Sequence, residues 1–265
     1  MRQRTLSHDL AILSSEPSDQ AIINPADFLA LRLRRLETPL APVPTSCVLS
    51  FLIDGEALLT ELFQDVQEEG WPGGLFRART FTIHGQRHAY LFAGFGGPLA
   101  TSHLEPLIAL GVRRFVVIGV ARPLTPAFAA GSLFVPDWAW RDEGLSHHYS
   151  RPAARIEVNS PLLASIHTSL ASRGLLASSG GVWTTDAPYR QTESKTLSAV
   201  RQGCIALETE LASILAVARF RGAELAALFC LSDFVGGDKW RPRRPEIVNT
   251  LSQLLSVAVE SLART

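Results

Sequence analysis

Apolar and polar positions follow two periods along this chain, and the switches between the periods predict where helices and strands lie. Apolar residues at helical spacing predict helices at 26–36, 56–67, 98–110, 161–172, 193–201, 208–220 and 245–263. Short apolar runs bounded by turn residues predict strands at 47–53, 76–84, 88–93, 114–119, 132–140, 181–184, 204–207 and 224–231. Because strands and helices alternate, the sequence predicts an α/β fold, a three-layer sandwich around a mixed, twisted sheet.

The spacing of these elements predicts a single domain that follows a short tail. Residues 1–24 are polar and have no clear period, which is typical of a loose N-terminal tail. From residue 25 to residue 265 the connections are short, and no internal repeat or low-complexity segment interrupts them. We therefore expect one domain over 25–265.

The composition argues against several classes of protein. Lys+Arg and Asp+Glu both total 25, so the chain lacks the basic excess of nucleic-acid-binding proteins. No apolar run approaches about 18 residues and the N-terminus does not resemble a signal peptide, so we expect no membrane partner. Cys47, Cys204 and Cys230 lie far apart, which favours a reducing cytoplasm over a disulfide framework. Cys47 and Cys230 lie in apolar, strand-like runs and are expected to be core residues. We expect no metal ion or cofactor.

Candidate ligand-binding residues follow several predicted strands. Gly94–Pro98 joins a strand to a helix, and Gly119–Pro123 is predicted to form a second turn, although its residues are bulky. Two acidic candidates, Glu208–Glu210 and Asp233, come after the strands 204–207 and 224–231. Ligands of open α/β sheets bind at the carboxyl ends of strands. The alternatives to a role in ligand binding are that these acidic residues complement a helix dipole or cap a helix or turn.

Four segments in this order resemble the nucleoside phosphorylase superfamily, which contains purine nucleoside phosphorylases, uridine phosphorylases and nucleosidases. They are 94–119, 140–149, 182–192 with the Glu-x-Glu that follows, and 229–234. The resemblance implies cleavage of the bond between ribose C1′ and a nucleobase, with phosphate or water as the attacking group. It also implies a nucleoside-like small-molecule ligand and a homo-oligomer.

The resemblance assigns the sugar site to Glu208, Thr209 and Glu210. In the family the second Glu of the motif accepts hydrogen bonds from the ribose 2′- and 3′-hydroxyls, which gives that role to Glu210. Thr209 stands where relatives have the Met that packs under the sugar. Gly96, in the Gly-Phe-Gly-Gly loop, is expected to line the same substrate site.

The resemblance assigns the base site to residues of two other segments. Tyr189 is expected to stack on the nucleobase, although Pro188 stands where many relatives have Phe. Asp233 is expected to protonate the departing base, a role that burial would support by raising the pKa of its carboxyl. Trp183 is interpreted as a packing residue, and Trp240 as either a lid residue or a structural anchor.

The family's phosphate contacts are missing from this sequence. The first loop, Ile53–Leu58, contains no Arg. Val117 stands where relatives have an Arg on the strand, and Val120 stands where they have a hydroxyl residue. Leu99 stands where some relatives have Ser. Arg122 replaces a small residue, and it could serve as a substitute anion ligand or block the pocket. Because a neighbouring subunit completes the site in some relatives, Arg77 and Arg79 could supply charge across a subunit boundary.

Three hypotheses therefore remain open. The first is hydrolysis of a nucleoside with Glu56 as the base that activates water. The second is phosphorolysis with Arg122 as a phosphate ligand. The third is a non-catalytic protein that binds a nucleoside or nucleotide.

Overall fold

The structure is a computed structural model of the 265-residue chain. It describes residues 12, 17, 20–34, 41–69, 78–235 and 244–264, with backbone alone at 244 and 245. Most of the predicted tail, and also Arg77 and Trp240, lie outside the described residues.

Helices and strands alternate along the described chain. The helices are α1 (Pro25–Leu33), α2 (Gly55–Leu62), α3 (Gly97–Ala109), α4 (Pro161–Ser172), α5 (Glu193–Arg201), α6 (Leu211–Phe220) and α7 (Arg244–Ala263). The strands are β1 (Ser46–Ser50), β2 (Gln67–Glu69), β3 (Ala78–Ile83), β4 (Gln86–Phe92), β5 (Arg114–Pro123), β6 (Leu133–Asp142), β7 (Arg155–Glu157), β8 (Ala177–Thr185), β9 (Cys204–Glu208) and β10 (Glu224–Leu231). Two short 3-10 turns, Leu145–His148 and Pro188–Arg190, lie between them.

One mixed sheet contains all of these strands, and part of it closes on itself. Strands β5, β10, β6, β8 and β9 form a ring, because β10 pairs with both β6 and β5. From β5 the sheet continues outward in the order β1, β4, β3, β2, while β7 pairs with β6. Strand β5 therefore belongs both to the ring and to the open wing.

Two groups of helices cover the sheet and complete the layers. Helix α3 packs against α1 and α6, whereas α7 packs against α2, α4 and the strands β5 and β10. Helix α7 packs on β5, and residues Phe115–Ile118 of this strand are fully buried, as is usual for a central parallel strand. The predicted α/β sandwich with a mixed sheet is confirmed; the closure into a ring was not predicted.

The predicted turn at Gly119–Pro123 is wrong, because β5 continues through these residues. Val120 and Ala121 pair with β10, and Arg122 and Pro123 pair with β9. Two neighbouring strands thus hold the bulky sequence extended. Pro123 is the last residue of the strand, and the next amide, Leu124 N, donates a 2.9 Å hydrogen bond to the Ile205 carbonyl of β9.

Other differences concern element boundaries. Helix α6 begins at Leu211 rather than at 208, so Glu210 is its N-cap residue. Strands β2 and β7 were missed because each has only three residues. The predicted packing of Cys47, Cys230 and Trp183 is confirmed, since all three are buried. Within the described ranges, no helix has both the length and the apolarity to cross a membrane.

Candidate nucleoside site

The ends of three strands meet around Ala121 and bring the acidic candidates together. Ala121 pairs with Leu231 at the end of β10, and its carbonyl accepts a hydrogen bond of 2.9 Å from the Ser232 amide. The next residue, Arg122, pairs with Leu207 at the end of β9. Glu208–Glu210 and Asp233 therefore leave the sheet beside the same segment of β5.

Glu210 is tied to the glycine loop that follows β4. Its side chain is buried, and its Oε1 accepts a hydrogen bond of 2.6 Å from the Gly96 amide and a second one from the Thr209 hydroxyl. Among the described residues, both hydrogen bonds of the carboxylate fall on Oε1. Oε2 is thus the oxygen that can accept hydrogen bonds from a ligand. The predicted site residues Gly96, Thr209 and Glu210 are brought together.

Glu208 holds the start of α6. Its Oε2 accepts hydrogen bonds of 2.7 Å from the amides of Glu210 and Leu211, and its Oε1 accepts one from the Thr184 hydroxyl. These amides belong to the first turn, which has no partners within the helix itself. Protein groups occupy both oxygens of Glu208, so this residue positions the start of α6 and with it Glu210.

The two carboxyls influence one another. Burial raises the pKa of Glu208, and the nearby charge of Glu210 raises it further. Burial also raises the pKa of Glu210, while its bonds from Thr209 and Gly96 oppose that rise. Hydrogen bonds to the charged form are what keep a buried carboxylate ionised. Ligand hydroxyls that donate to Glu210 would act in the same direction.

The glycine loop depends on residues without side chains. Gly94 and Gly96 have φ angles of 74° and 87°, a region that L-residues with a side chain rarely adopt. Gly97 begins α3 directly against α6, where an added Cβ would lie 2.4 Å from Ser213 Oγ. Ser213 Oγ in turn donates a 2.6 Å hydrogen bond to buried Glu143. Close contact between α3 and α6 therefore fixes the Gly96 amide relative to Glu210.

Replacing Gly97 with alanine is expected to separate these two helices. The new methyl group overlaps Ser213, and overpacking of this kind costs roughly 1–3 kcal/mol of unfolding free energy. Chemical denaturation measures that loss, and calorimetry should show weaker binding of any ligand that Glu210 holds, because Gly96 moves away from Glu210. The matched variant is Gly97→Ala with Ser213→Gly. If the second change restores no stability, the clash with Ser213 is not the cause.

Arg122 lies on the side of the site that faces the predicted base-binding segment. Its Nη2 donates a hydrogen bond to Gln191 Oε1, and Gln191 Nε2 donates one of 3.1 Å to Thr196 Oγ1. A cavity of about 710 Å³ opens here between β5, the segment 188–197 and residues 234–235. Tyr189, the predicted stacking residue, lines this cavity and is 99% exposed.

Asp233 sits two residues beyond the end of β10 and is buried, with 9% of its surface exposed. Phe234 and Val235, which follow it directly, line the cavity beside Arg122. Asp233 is thus adjacent in the chain to two residues that line the cavity beside Arg122.

Glu56 lies in the first turn of α2, in a part of the sequence distant from Glu208 and Glu210. Its Oε2 accepts a 3.0 Å hydrogen bond from Arg79 Nη2, and Arg79 also pairs with Glu68. Arg79, expected from the sequence to be a possible source of charge for an anion, is therefore engaged by two carboxylates of its own chain.

Sequence reasoning missed two supporting groups, Gln191 and the Glu143–Ser213 pair. Gln191 belongs to the quoted segment 182–192, and its place just beyond Tyr189 was a usable signal. Glu143 and Ser213 are 70 residues apart, and no local pattern indicates that they bond. Among the described residues, no group of three or more His, Cys, Asp or Glu could hold a metal ion.

Two of the known proteins that match this chain in sequence do so over part of their length. The chain is 35% identical over 83 residues to uridine phosphorylase of Haemophilus influenzae, which covers 29% of this chain and 33% of that protein. It is 22% identical over 171 residues to an uncharacterised protein of Acanthamoeba polyphaga mimivirus, which covers 63% and 66%. The chain thus spans one third and just under two thirds of these relatives.

Two crystal structures of uridine phosphorylase from Vibrio fischeri share the fold. One, solved with 6-hydroxy-1-naphthoic acid, has a TM-score of 0.75 at 20% identity and covers 84% of this chain and 93% of its own. The other has a TM-score of 0.74 with the same identity and coverage. The sequence model of the Phosphorylase superfamily matches residues 48–263. The chain therefore belongs to the phosphorylase superfamily.

Proposed function

We propose that the protein cleaves the N-glycosidic bond of a nucleoside or nucleoside-like substrate, with water as the attacking group. The observation that carries this proposal is the buried Glu210 carboxylate, held by the Gly96 amide in a member of a glycosidic-bond-cleaving family. Such a carboxylate is suited to binding two adjacent sugar hydroxyls through its second oxygen.

The sugar role of Glu210 is supported by how the protein holds it. Glu208 fixes the start of α6, the Thr209 hydroxyl and the Gly96 amide fix Oε1, and Oε2 remains for a ligand. A site whose orientation is set before the ligand arrives loses less entropy on binding. Hydrogen bonds to a charged acceptor are also stronger than those between neutral groups.

Departure of the base requires that its negative charge be neutralised. Asp233 is buried and directly precedes Phe234 and Val235, which line the cavity that would hold the base, and this supports its assignment as the proton donor. A positioned general acid typically accelerates such a step by about 10²–10⁴-fold.

The nucleophile side of the site supports water over phosphate. Val117 is fully buried between Leu49 and Ala227 in the sheet, and Val120 and Leu99 present half-exposed apolar side chains. A phosphate dianion needs several charged or hydrogen-bonding donors to offset its loss of water. A water molecule carries no net charge and does not need such a set of donors.

The proposed step transfers one proton at each end of the reacting bond. The water oxygen bonds to C1′ and loses a proton to Glu56, which Arg79 orients. The C1′–N bond breaks with its electron pair leaving on the base, and Asp233 supplies the proton that neutralises the base. The products are ribose and the free base.

Phosphate dependence tests this proposal. Base release from a panel of purine and pyrimidine nucleosides should proceed in phosphate-free buffer, and added phosphate should change the rate less than about twofold. Weak phosphate binding, in the millimolar range or worse, corresponds to only about 4 kcal/mol. Chloride at equal ionic strength is the control. A rate that rises in proportion to phosphate would instead establish phosphorolysis and assign Arg122 to the anion.

A non-catalytic nucleoside-binding protein is the second candidate. The apolar Val117, Val120 and Leu99 that disfavour phosphate also provide no polar contact for any other nucleophile. Calorimetry that detects nucleoside binding, with no base released in prolonged incubation, would favour this candidate over hydrolysis.

A further inference from the structure

Arg122 has an orientation that its neighbours impose. Gln191 accepts a hydrogen bond from Arg122 Nη2, and the amide of Gln191 is itself fixed by its donation to Thr196 at 3.1 Å. Because Nε2 of Gln191 donates to Thr196, Oε1 of Gln191 faces the Arg122 guanidinium. The pair therefore forms a small polar group on a wall of the 710 Å³ cavity.

The hydrogen-bonding capacity of Arg122 is not used up. Its Nε is buried and has no hydrogen-bond partner among the described residues. Burial also lowers the pKa of this guanidinium, which reflects the cost of removing a cation from water. Among the described residues the guanidinium makes a single hydrogen bond, so a ligand that supplies an acceptor on the cavity side gains from pairing with it.

The rest of the cavity is suited to a flat, largely apolar ligand. Leu124, Tyr189, Phe234 and Val235 contribute apolar or aromatic surface, and Gln191 and Arg122 contribute the polar groups. A few placed polar groups in an otherwise apolar cavity are typical of sites that recognise one edge of a ring. Asp233, the proposed proton donor, immediately precedes Phe234, which lines this cavity.

We propose that Arg122, held by Gln191, donates a hydrogen bond to a carbonyl oxygen on the leaving nucleobase and thereby selects oxo bases over their amino counterparts. This rests on the proposed function. Uracil-type and hypoxanthine-type bases present an acceptor to the guanidinium, whereas cytosine-type and adenine-type bases present an amino donor at the same ring position. A donor facing a donor leaves both unpaired, which is how polar sites reject close analogues.

The same contact acts on the reaction itself. When the C1′–N bond breaks, its electron pair enters the base and is shared with the carbonyl oxygen of an oxo base. A fixed cation at that oxygen is more valuable in the transition state than in the bound substrate, because negative charge develops there. Arg122 should therefore affect kcat as well as KM for oxo substrates.

The test compares Arg122→Met with Arg201→Met, a control at an exposed arginine in the last turn of α5. The substrates are the pairs inosine and adenosine, and uridine and cytidine. Arg122→Met should lower kcat/KM for the preferred oxo nucleoside by at least about tenfold and leave its amino partner within about twofold. Gln191→Leu should produce a smaller loss of the same selectivity, because the guanidinium stays but is no longer held. Arg201→Met should change neither.

Binding of free bases separates this proposal from the proposed function. If no nucleoside is cleaved, calorimetry with hypoxanthine and adenine, and with uracil and cytosine, still measures the preference and its dependence on Arg122. Equal losses for oxo and amino ligands, no binding of any base, or an effect of Arg122→Met confined to phosphate dependence would each overturn the proposal. Thermal unfolding of each variant establishes that the compared proteins are folded.

Discussion

Glu210→Ala is expected to weaken nucleoside binding by at least about tenfold while the protein stays folded. The change removes a charged acceptor that would hold two sugar hydroxyls, and each such hydrogen bond is worth roughly 1.5–3 kcal/mol. Calorimetry with a nucleoside that the wild-type protein binds measures the change. The effect should appear in both KM and kcat/KM if the substrate is also cleaved.

Two comparisons make the Glu210 result specific. Glu61→Ala removes an exposed carboxylate from α2 and should leave binding unchanged. A 2′-deoxynucleoside already lacks one of the two hydroxyls, so Glu210→Ala should cost it less affinity than it costs the ribonucleoside. Equal affinity of Glu210→Ala and the wild-type protein for a ribonucleoside would remove this residue from the sugar site.

Asp233→Asn is expected to slow base release by about 10²-fold or more, with little change in substrate binding. Asparagine keeps the size and polarity of the side chain but cannot donate a carboxylic acid proton. Single-turnover measurements separate this loss in the chemical step from any change in affinity.

A substrate with an activated leaving group provides the control for Asp233. Nitrophenyl riboside releases a phenolate that is stable without protonation, so its cleavage should be much less sensitive to Asp233→Asn. A near-wild-type rate of Asp233→Asn on a purine nucleoside would exclude general acid catalysis by this residue. An equal loss on both substrates would indicate a structural role.

Much of the fold was predictable because its signals are local. The helices α4 and α5 and the strand β10 have the predicted boundaries, since capping residues and continuous apolar runs mark them. The end of β5 was not predictable, because Gly119–Pro123 reads as a turn until β9 and β10 supply partners for its backbone. Tertiary pairing thus overrode local propensity at the segment that carries Arg122.

Part of the candidate site was likewise predictable from the sequence, and part of it was not. The motif Glu208–Glu210 placed a carboxylate at a strand end, but which of the two carboxyls is occupied by backbone amides depends on how α6 begins. The ion pair of Glu56 with Arg79 and the bond from Arg122 to Gln191 join residues 23 and 69 positions apart. Contacts over such distances come from packing, which a single sequence does not encode locally.

Identification of the sugar product tests the central claim most directly. A nucleoside that the protein cleaves is incubated with millimolar phosphate, and the products are followed by phosphorus and proton NMR spectroscopy. The account predicts free ribose together with the free base and no new sugar phosphate signal. Ribose 1-phosphate as the main product would contradict hydrolysis and show that phosphate is the nucleophile.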